Sequence, residues 1–480
     1  MNIFNLILKI IGQILFVIIF FSTIHAKNID KFYESDFISD YLTGVLLLDD
    51  NQYAESYKFF KKLDGLESSH RTYSVKYLYS LVNSGNLYEA FAYSKKLEKQ
   101  QLDTFESDLI IGVYYLKNKD LNSANKYFLK AKKRNSSFVL NKYVSNSLYN
   151  WSMLEKIDLK NASTQIEKLD KRFENLKKIQ NVFLKCFFND PSTESLFGEL
   201  TSNKKTDFSR YNYFYATHLT SSGKIDKAKK VVIDSLRQYP RNLLLNQYKL
   251  DLNDIKNTLI FECNDQAHVI AEILYITANA LSSQSIYYLS NFYLNLAKYL
   301  NKDFHSFDTL LAENFYKTNN FSKAKKIYKK LSNKGDAYNW YSTKQLSKIF
   351  IKEKKKDEAI NLVSNVYKKL SLKGIYETFD YAEILKDNEK FSESIEYYSN
   401  IINKIKKNHP LYPEARDGRG IAYERTGNWN KAESDFISSL EADPNQAYVI
   451  NYLAYSWIEK GIKIEKSLNM LEKANKLRSN

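Results

Sequence analysis

One phrase recurs along this chain at steps of 34 to 35 residues, and it limits the possible folds more than any other feature. Each copy has a turn residue, an apolar residue two positions later, a small residue three further on and an aromatic or aliphatic residue four beyond that. Spacings of three and four place these side chains on one face of a helix. The turn residues that break the chain before this helix are Gly85, Gly223, Asn319 and Gly427, and the small residues are Ala90, Ala124, Ala228, Ala324, Ala359 and Ala432.

A second helix is predicted before each of these turns. Residues 105–118 read FESDLIIGVYYLKN and residues 413–426 read PEARDGRGIAYERT, and in both a glycine stands three residues before a tyrosine. With only 5 Pro and 13 Gly in 480 residues, a β-sandwich or barrel is disfavoured, since those folds need frequent turns. The repeating unit is therefore helix, short turn, helix. Clear copies begin near residues 37, 71, 105, 209, 271, 305, 340, 375, 413 and 447, and poorer ones near 143, 174 and 240.

This unit resembles the tetratricopeptide repeat, in which position 8 is small, 11 is Tyr, 15 is Gly or Asn, 20 is Ala, 24 is aromatic, 27 is Ala and 32 is Pro. The resemblance covers nearly all of the chain after residue 26. It implies an all-α fold, a right-handed superhelical α-solenoid of helix–turn–helix repeats. The copy that starts at Pro413 matches best, with Gly420, Tyr423, Gly427, Trp429, Ala432, Phe436, Ser439 and Pro444.

The repeats divide into three predicted stretches. Residues 27–208 form amino-terminal repeats, residues 209–270 form one repeat and an irregular helical spacer, and residues 271–480 form a carboxyl-terminal array that lacks a capping helix. The end of this array, where RGIAYER precedes NYLAYSW, is similar to exported multi-repeat proteins of alphaproteobacteria, which have glycine in place of Ala454. Solenoid ends need a polar cap, so the last predicted helix indicates either a truncated array or an end that docks on a partner.

Residues 1–26 have the order of a secretory signal. Lys9 precedes an apolar stretch from Ile10 to Phe21, and Ser22 to Ala26 offers small residues at a cleavage point. A cleaved signal would place the mature chain in the bacterial periplasm. The alternative is an uncleaved inner-membrane anchor, because residues 3–24 are long enough to span a bilayer.

The two cysteines, Cys186 and Cys263, are too few for a disulfide framework. Export would place them in an oxidising compartment. They lie 77 residues apart, which in a linear array puts them in separate repeats. We therefore expect two unpaired, half-buried thiols.

Sequence motifs for catalysis are absent. The chain contains no HExxH, CxxC, GxxxxGK[ST] or GxSxG, its six histidines form no i, i+4 pair, and none stands beside a cysteine. We therefore predict no catalytic residue, no metal site and no cofactor, unless the irregular stretch 240–270 holds a site. The net charge of +16 comes mostly from lysine and is interspersed with acids, which disfavours a nucleic-acid partner.

Binding is predicted on the concave face that the first helix of each repeat lines. In this repeat family, positions 2, 5, 9, 12 and 13 of that helix typically point into the groove. In the last repeat Asn451 and Tyr455 lie one turn apart, where an amide can bond a peptide backbone and a phenol offers a rigid ring. The predicted partner-binding residues are Tyr448, Asn451, Tyr455, Glu459, Asp417, Arg425, Lys344 and Lys348, and the same rule selects Ile421, Glu383, Asp387, Lys352 and Ile458.

Two other interpretations of these residues stay open at this stage. The lysine row could be a solvated helix face, and any single tyrosine could be a packing residue. The adjacent acidic and basic stretches nevertheless predict a charge-patterned groove.

The pattern favours a non-catalytic scaffold of the periplasm or cell envelope that binds a protein or an extended peptide. One alternative is an adaptor for an envelope glycan, which would use groove aromatics as sugar platforms. Another is a membrane-anchored assembly factor that retains its amino-terminal segment. The sequence does not set the oligomeric state.

Overall fold

The computed structural model describes residues 35–134, 138–203, 206–252, 260–371 and 373–478. The signal or anchor segment 1–26 lies outside the described residues. Within them, all regular structure is helical, with 25 α-helices and three short 3-10 helices, so the prediction of an all-α repeat fold is confirmed. None of the described helices combines the length and apolarity needed to cross a bilayer.

The chain divides into two compact units. Unit 1 comprises residues 1–231 and 256–324, and unit 2 comprises residues 232–255 and 325–480. Up to residue 252 the helices are α1 (Ser35–Asp49), α2 (Tyr53–Lys61), α3 (Arg71–Asn83), α4 (Leu87–Lys99), α5 (Phe105–Lys117), α6 (Leu121–Lys133), α7 (Val139–Ser152), α8 (Leu159–Glu167), α9 (Glu174–Phe187), α10 (Thr193–Thr201), α11 (Ser209–Ser221), α12 (Ile225–Gln238) and α13 (Leu243–Asp251). From residue 260 they are α14 (Gln266–Ser283), α15 (Tyr287–Leu300), α16 (Ser306–Lys317), α17 (Phe321–Leu331), α18 (Asp336–Lys352), α19 (Lys356–Lys369), α20 (Ile375–Asp387), α21 (Phe391–Lys404), α22 (Leu411–Arg425), α23 (Trp429–Ala442), α24 (Ala447–Glu459) and α25 (Ile464–Arg478).

The helices follow the predicted repeat. Each repeat has a first helix, which we call the A helix, and this helix begins within five residues of the predicted start. In most repeats a short turn then leads to a second helix, which we call the B helix. The turn residues Gly85, Gly223, Asn319 and Gly427 all have positive φ, between 57° and 90°. This left-handed conformation closes an A helix with paired backbone hydrogen bonds and reverses the chain.

The small residues of the repeat are fully buried. Ala90, Ala228, Ala324 and Ala432 each have no exposed surface, because the B helix crosses its A helix at this point and leaves room for a methyl group only. The core is a series of clusters shared by successive helices. In unit 2, for example, Ala432 packs in one cluster with Phe436, Val449, Leu453 and Trp457.

Unit 1 is not a simple linear array. Helix α15 lies against α3 and α5, which belong to much earlier repeats. The Asn83 side chain donates a 2.8 Å hydrogen bond to the Tyr288 carbonyl, and Lys117 donates one of 2.9 Å to the Leu300 carbonyl. Asn83 and Lys117 both stand at position 13 of their repeats, so in unit 1 these groove positions serve internal packing.

This packing pairs the two cysteines. Cys186 on α9 and Cys263, which precedes α14, form a disulfide with their Cα atoms 5.9 Å apart. The expectation of two unpaired thiols in separate repeats was therefore wrong. The physical reason is that the Phe261 ring packs on Phe183 and Phe214, with ring centroids 5.3 and 4.5 Å apart, which holds the chain before α14 against α9 and α11.

Candidate functional site

The A helices of unit 2 carry charged side chains that contact one another across three repeats. Asp380 on α20 lies between two cations, since its carboxylate pairs with Lys344 on α18 and with Arg241, which precedes α13. The Arg241 Nη1 to Asp380 Oδ1 distance is 2.5 Å, and the Arg241 guanidinium lies 5.5 Å from the centroid of the Tyr376 ring. Arg241 thus joins a short helix segment to the A-helix face of the repeats.

These groups border a cavity of 180 Å³ between α13, α18 and α20. Its lining combines the charges of Arg241, Lys344 and Asp380 with the aromatic rings of Trp340 and Tyr376. The indole N–H of Trp340 is buried and has no hydrogen-bond partner among the described residues. A recess with aromatic walls and charges of both signs suits a side chain with an apolar stem and a polar end.

Helix α20 also carries an acid that a lysine and a tyrosine hold in place. Lys386 Nζ lies 2.9 Å from Glu383 Oε2 and 3.6 Å from Asp387 Oδ1, all on α20. The buried Tyr398 on α21 donates its hydroxyl hydrogen to Glu383. The lysine and tyrosine fix the position of the Glu383 carboxylate.

Asp417 on α22 is the least compensated charge of this face. Its Oδ1 atom is buried and has no hydrogen-bond partner within the described part of the chain. Burial, reinforced by the negative charges of Glu383 and Glu414, raises the pKa of Asp417 to about 7, although Lys386 acts in the opposite direction. Near neutral pH, Asp417 is therefore divided between its protonated and ionised forms, and a cation brought to it would favour ionisation.

We call the surface formed by Lys344, Asp380, Glu383, Glu414 and Asp417 the A-helix ribbon. Burial and Glu383 raise the pKa of Glu414, and Arg241 counteracts this shift. Four of the five residues are acids, in a chain whose net charge is +16. Arg241 and Lys344 pair with Asp380, and Lys386 pairs with Glu383. Among the described residues, Glu414 and Asp417 are therefore the acids of the ribbon that have no ion-pair partner.

Packing within each helix pair identifies the repeat. A Cβ built on Gly420 would lie 2.7 Å from Cε1 of Phe436, so only glycine fits at this crossing, and Gly112 meets Phe128 in the same way. In both pairs a small residue at position 8 of the A helix faces an aromatic ring at position 24, with a buried alanine at position 20. The repeats are of the tetratricopeptide (TPR) type.

Neither a family model nor a curated protein matches the sequence. Similar solved structures include MamA from Desulfovibrio magneticus RS-1, at 11% identity over 36% of this chain and 94% of that chain, with a TM-score of 0.30. The APC/C hetero-tetramer Cut9-Hcn1 has 12% identity over 92% of this chain and 87% of that chain, with a TM-score of 0.34. YrrB, a TPR protein with an unusual peptide-binding site, has 14% identity over 38% of this chain and 90% of that chain, with a TM-score of 0.28. Because these TM-scores are low, the assignment of the repeat type rests on the packing within this chain and not on the similar structures.

The last complete TPR presents a separate polar and aromatic row. Tyr448 and Tyr455 on α24 are each 54% exposed, and Asn451 lies between them. The Asn451 side chain makes no hydrogen bond to other described residues, and the Tyr448 ring lies 6.0 Å from that of Tyr452. Glu459 at the end of α24 is also exposed.

The structure brings some of the predicted residues together and leaves others apart. Lys344 and Asp417 belong to the ribbon, together with Glu383. Lys348 is exposed on α18, which matches its alternative interpretation as part of a solvated face. Arg425 is exposed at the end of α22, where its guanidinium lies 3.4 Å from Glu424.

Sequence reasoning missed several residues of this face. Tyr376 and Glu414 stand at position 2 of their repeats, so the position rule already contained the signal for them. Asp380 carried no such signal, because it stands at position 6 of its repeat. Arg241 stands at position 2 of the poorer copy predicted near residue 240, in the stretch also predicted to hold an irregular spacer, and it meets Asp380 only through the fold. Among the described residues, the cluster able to hold a metal lies elsewhere, at Cys186, His218 and Cys263 in unit 1.

Proposed function

We propose that this chain is a non-catalytic scaffold of the bacterial periplasm or cell envelope, and that the A-helix ribbon binds an extended, basic segment of a partner protein. The observation that carries the proposal is the half-buried Asp417, whose Oδ1 atom is buried and has no hydrogen-bond partner among the described residues. A buried polar atom without a hydrogen-bond partner lowers the stability of a fold. A lysine or arginine of the ligand would supply the missing charge.

The neighbouring groups support a ligand that extends along the ribbon. The 180 Å³ cavity beside Arg241, Trp340 and Tyr376 offers a place for one side chain. Glu383, Glu414 and Asp417 influence one another electrostatically, so they can share a second, cationic side chain. A peptide with a cation near an aromatic or amphipathic residue would match both places.

The proposal assigns no reaction to this face. Its side chains are carboxylates, cations and aromatic rings, most of them in ion pairs with one another. Asp417, with a pKa of about 7, could exchange a proton. The ribbon as defined, however, includes no cysteine or serine that would act as a nucleophile beside it. Recognition of charge is the chemistry that this set of groups supports.

The location of the scaffold is inferred from residues 1–26 alone. Their signal-like order supports export, and a retained segment would make the chain a membrane-anchored assembly factor. The mass of the amino-terminal peptide from the native protein distinguishes the two. A peptide that begins at Lys27 supports a cleaved signal, and one that begins at Met1 supports the anchor.

Site-specific cross-linking in intact cells tests the binding proposal. A photoreactive residue replaces Glu414 in one variant and Glu393, an exposed glutamate of the B helix α21, in the matched control. We expect one partner to cross-link from position 414 only, through a peptide that contains lysine or arginine, and to be lost when Asp417→Lys is added. Equal cross-linking from both positions, or an acidic cross-linked peptide, would contradict the proposal.

An adaptor for an envelope glycan is a second candidate, favoured by the exposed Tyr448 and Tyr455 rings on α24. Exposed aromatic rings give flat apolar surfaces that sugar rings can cover. Saccharide binding that is lost in Tyr455→Ala and kept in Asp417→Asn would favour this candidate over peptide binding.

A further inference from the structure

Three potential metal ligands meet in unit 1, outside the A-helix ribbon. Cys186 lies on α9, His218 on α11, and Cys263 on the segment before α14. Their ligand atoms all lie within 4.8 Å of one another, and Cys186 Sγ is 3.4 Å from His218 Nδ1. In this structure the two sulfur atoms are joined as a disulfide. Two sulfur atoms and one imidazole, from three separate elements of the fold, thus lie close together.

The donor set and its spacing match those of zinc. Zinc binds thiolate at about 2.3 Å and imidazole at about 2.0 Å in a tetrahedron. A tetrahedral angle then places sulfur and nitrogen about 3.5 Å apart, close to the 3.4 Å between Cys186 and His218. The two sulfurs would have to separate by about 2 Å from their bonded distance to reach this geometry.

The surroundings leave room for a metal and for a fourth ligand. A cavity of 240 Å³ opens beside the cluster, and its lining includes Asn189, Glu262 and Asn264. Their side-chain oxygens, or a water, could complete four-coordination. The Phe197 ring, 5.7 Å from the imidazole centroid, packs beside His218.

We infer that reduction of the Cys186–Cys263 disulfide converts this cluster into a zinc site formed by Cys186, His218 and Cys263. A dithiol reductant transfers two electrons and two protons to the disulfide, which yields two thiols, and the reductant becomes a disulfide itself. Zinc then displaces the two thiol protons and binds both sulfurs and the imidazole. In the reverse direction, the disulfide form of the reductant takes two electrons from the zinc-bound sulfurs and two protons from water and becomes a dithiol again. The sulfurs rejoin as a disulfide and zinc is released, so the disulfide and the metal exclude each other.

The test compares the oxidised and reduced full chain. The protein is reduced with a phosphine, which becomes its oxide, and is then titrated with Zn²⁺ and, as a spectroscopic probe, with Co²⁺. We expect one zinc per reduced chain, none per oxidised chain, and a thiolate-to-cobalt charge-transfer band in the reduced protein only. His218→Ala should weaken zinc binding by at least about tenfold, and Cys186→Ser should abolish it.

His268→Gln is the matched control, because His268 is a half-buried histidine of the same unit whose acceptor role glutamine can keep. We expect it to bind zinc like the wild type. Equal zinc binding by oxidised and reduced protein, or unchanged affinity in His218→Ala, would overturn the inference. Loss of the helical circular dichroism signal on reduction alone would also overturn it, because the fold would then no longer hold the three ligands together.

Discussion

The Arg210 guanidinium and the Glu272 carboxylate form a bidentate ion pair inside unit 1, with both nitrogen–oxygen distances at 2.7 Å. Glu272 is only 1% exposed. The guanidinium also lies 3.9 Å from the centroid of the Tyr275 ring. The pair joins α11 to α14, so it helps to hold the later helices of unit 1 on the earlier repeats.

We expect Glu272→Gln to destabilise unit 1 by about 3 kcal/mol, because it leaves a buried guanidinium without its counter-charge. Urea denaturation followed by circular dichroism measures this change. The matched control is Glu55→Gln, which removes an exposed pair with Lys58 and should change the stability by less than about 1 kcal/mol. Equal effects of the two substitutions would show that the Arg210–Glu272 pair does not stabilise the fold.

The crossing of α22 and α23 predicts a steric effect at Gly420. Gly420→Ala should cost about 1–3 kcal/mol, because the new methyl group overlaps the Phe436 ring. Thermal denaturation of unit 2 provides the measurement. Gly198→Ala is the control, since a Cβ there meets nothing within 4 Å, and it should stabilise its helix by up to about 1 kcal/mol. A neutral Gly420→Ala would contradict the packing of these two helices.

Because the pKa of Asp417 is raised, we expect the stability of the fold to depend on pH. The unfolded carboxyl titrates near its ordinary pKa of 3.8, and the folded one at about 7. Between these values the folded state holds the extra proton, so its stability falls as pH rises and the loss is complete above pH 7. Asp417→Asn removes this loss and should raise the stability by about 1–3 kcal/mol at pH 8, with a much smaller gain at pH 5.

Melting temperatures of wild type and Asp417→Asn between pH 5 and pH 8 measure that difference. Asp387→Asn is the control, because the Asp387 side chain is 66% exposed, and its effect should stay below about 0.5 kcal/mol. A gain for Asp417→Asn that does not grow with pH would show that its carboxyl ionises normally. If the ribbon binds a basic segment, the same variant should be more stable and yet bind the partner more weakly.

We expect substitutions in the exposed row on α24 to weaken binding without lowering the stability of the fold. The double variant Asn451→Ala, Tyr455→Ala should leave the melting temperature within about 2 °C of the wild type, since Tyr455 is 54% exposed. Recovery of the partner in a cross-linked pull-down should fall if this row extends the binding face. Unchanged recovery would show that this row does not contribute to the contact.

The repeats could be predicted because their determinants are local. The glycine at position 8, the alanine at position 20 and the aromatic at position 24 all lie within one helix pair, as Gly420, Ala432 and Phe436 do. Any segment that folds into two antiparallel helices brings them together, whatever the rest of the chain does. The turn residues, such as Gly427 with φ 80°, mark the reversal in the sequence itself.

The candidate site was only partly predictable. The groove rule selected Lys344 and Asp417 because their positions repeat from one TPR to the next. It could not select Asp380, which stands at position 6 of its repeat and whose partner Arg241 lies 139 residues away. The rule also grouped Lys348 with Lys344, which lies one helical turn before it. In the structure Lys344 is half-buried in an ion pair with Asp380, whereas Lys348 is exposed.

The sequence by itself determined the repeat unit, its period and, to within five residues, where each A helix begins, because period and turn chemistry act over a few tens of residues. Only the tertiary structure decided that α14 and α15 pack on the earlier repeats of unit 1, where Asn291 donates a hydrogen bond to the Tyr53 hydroxyl across 238 positions. The same packing also brings Cys186 to Cys263 and places His218 beside them. A periodic pattern places every A helix in an equivalent environment, so the helices that meet across the fold are selected by the shape and polarity of individual side chains.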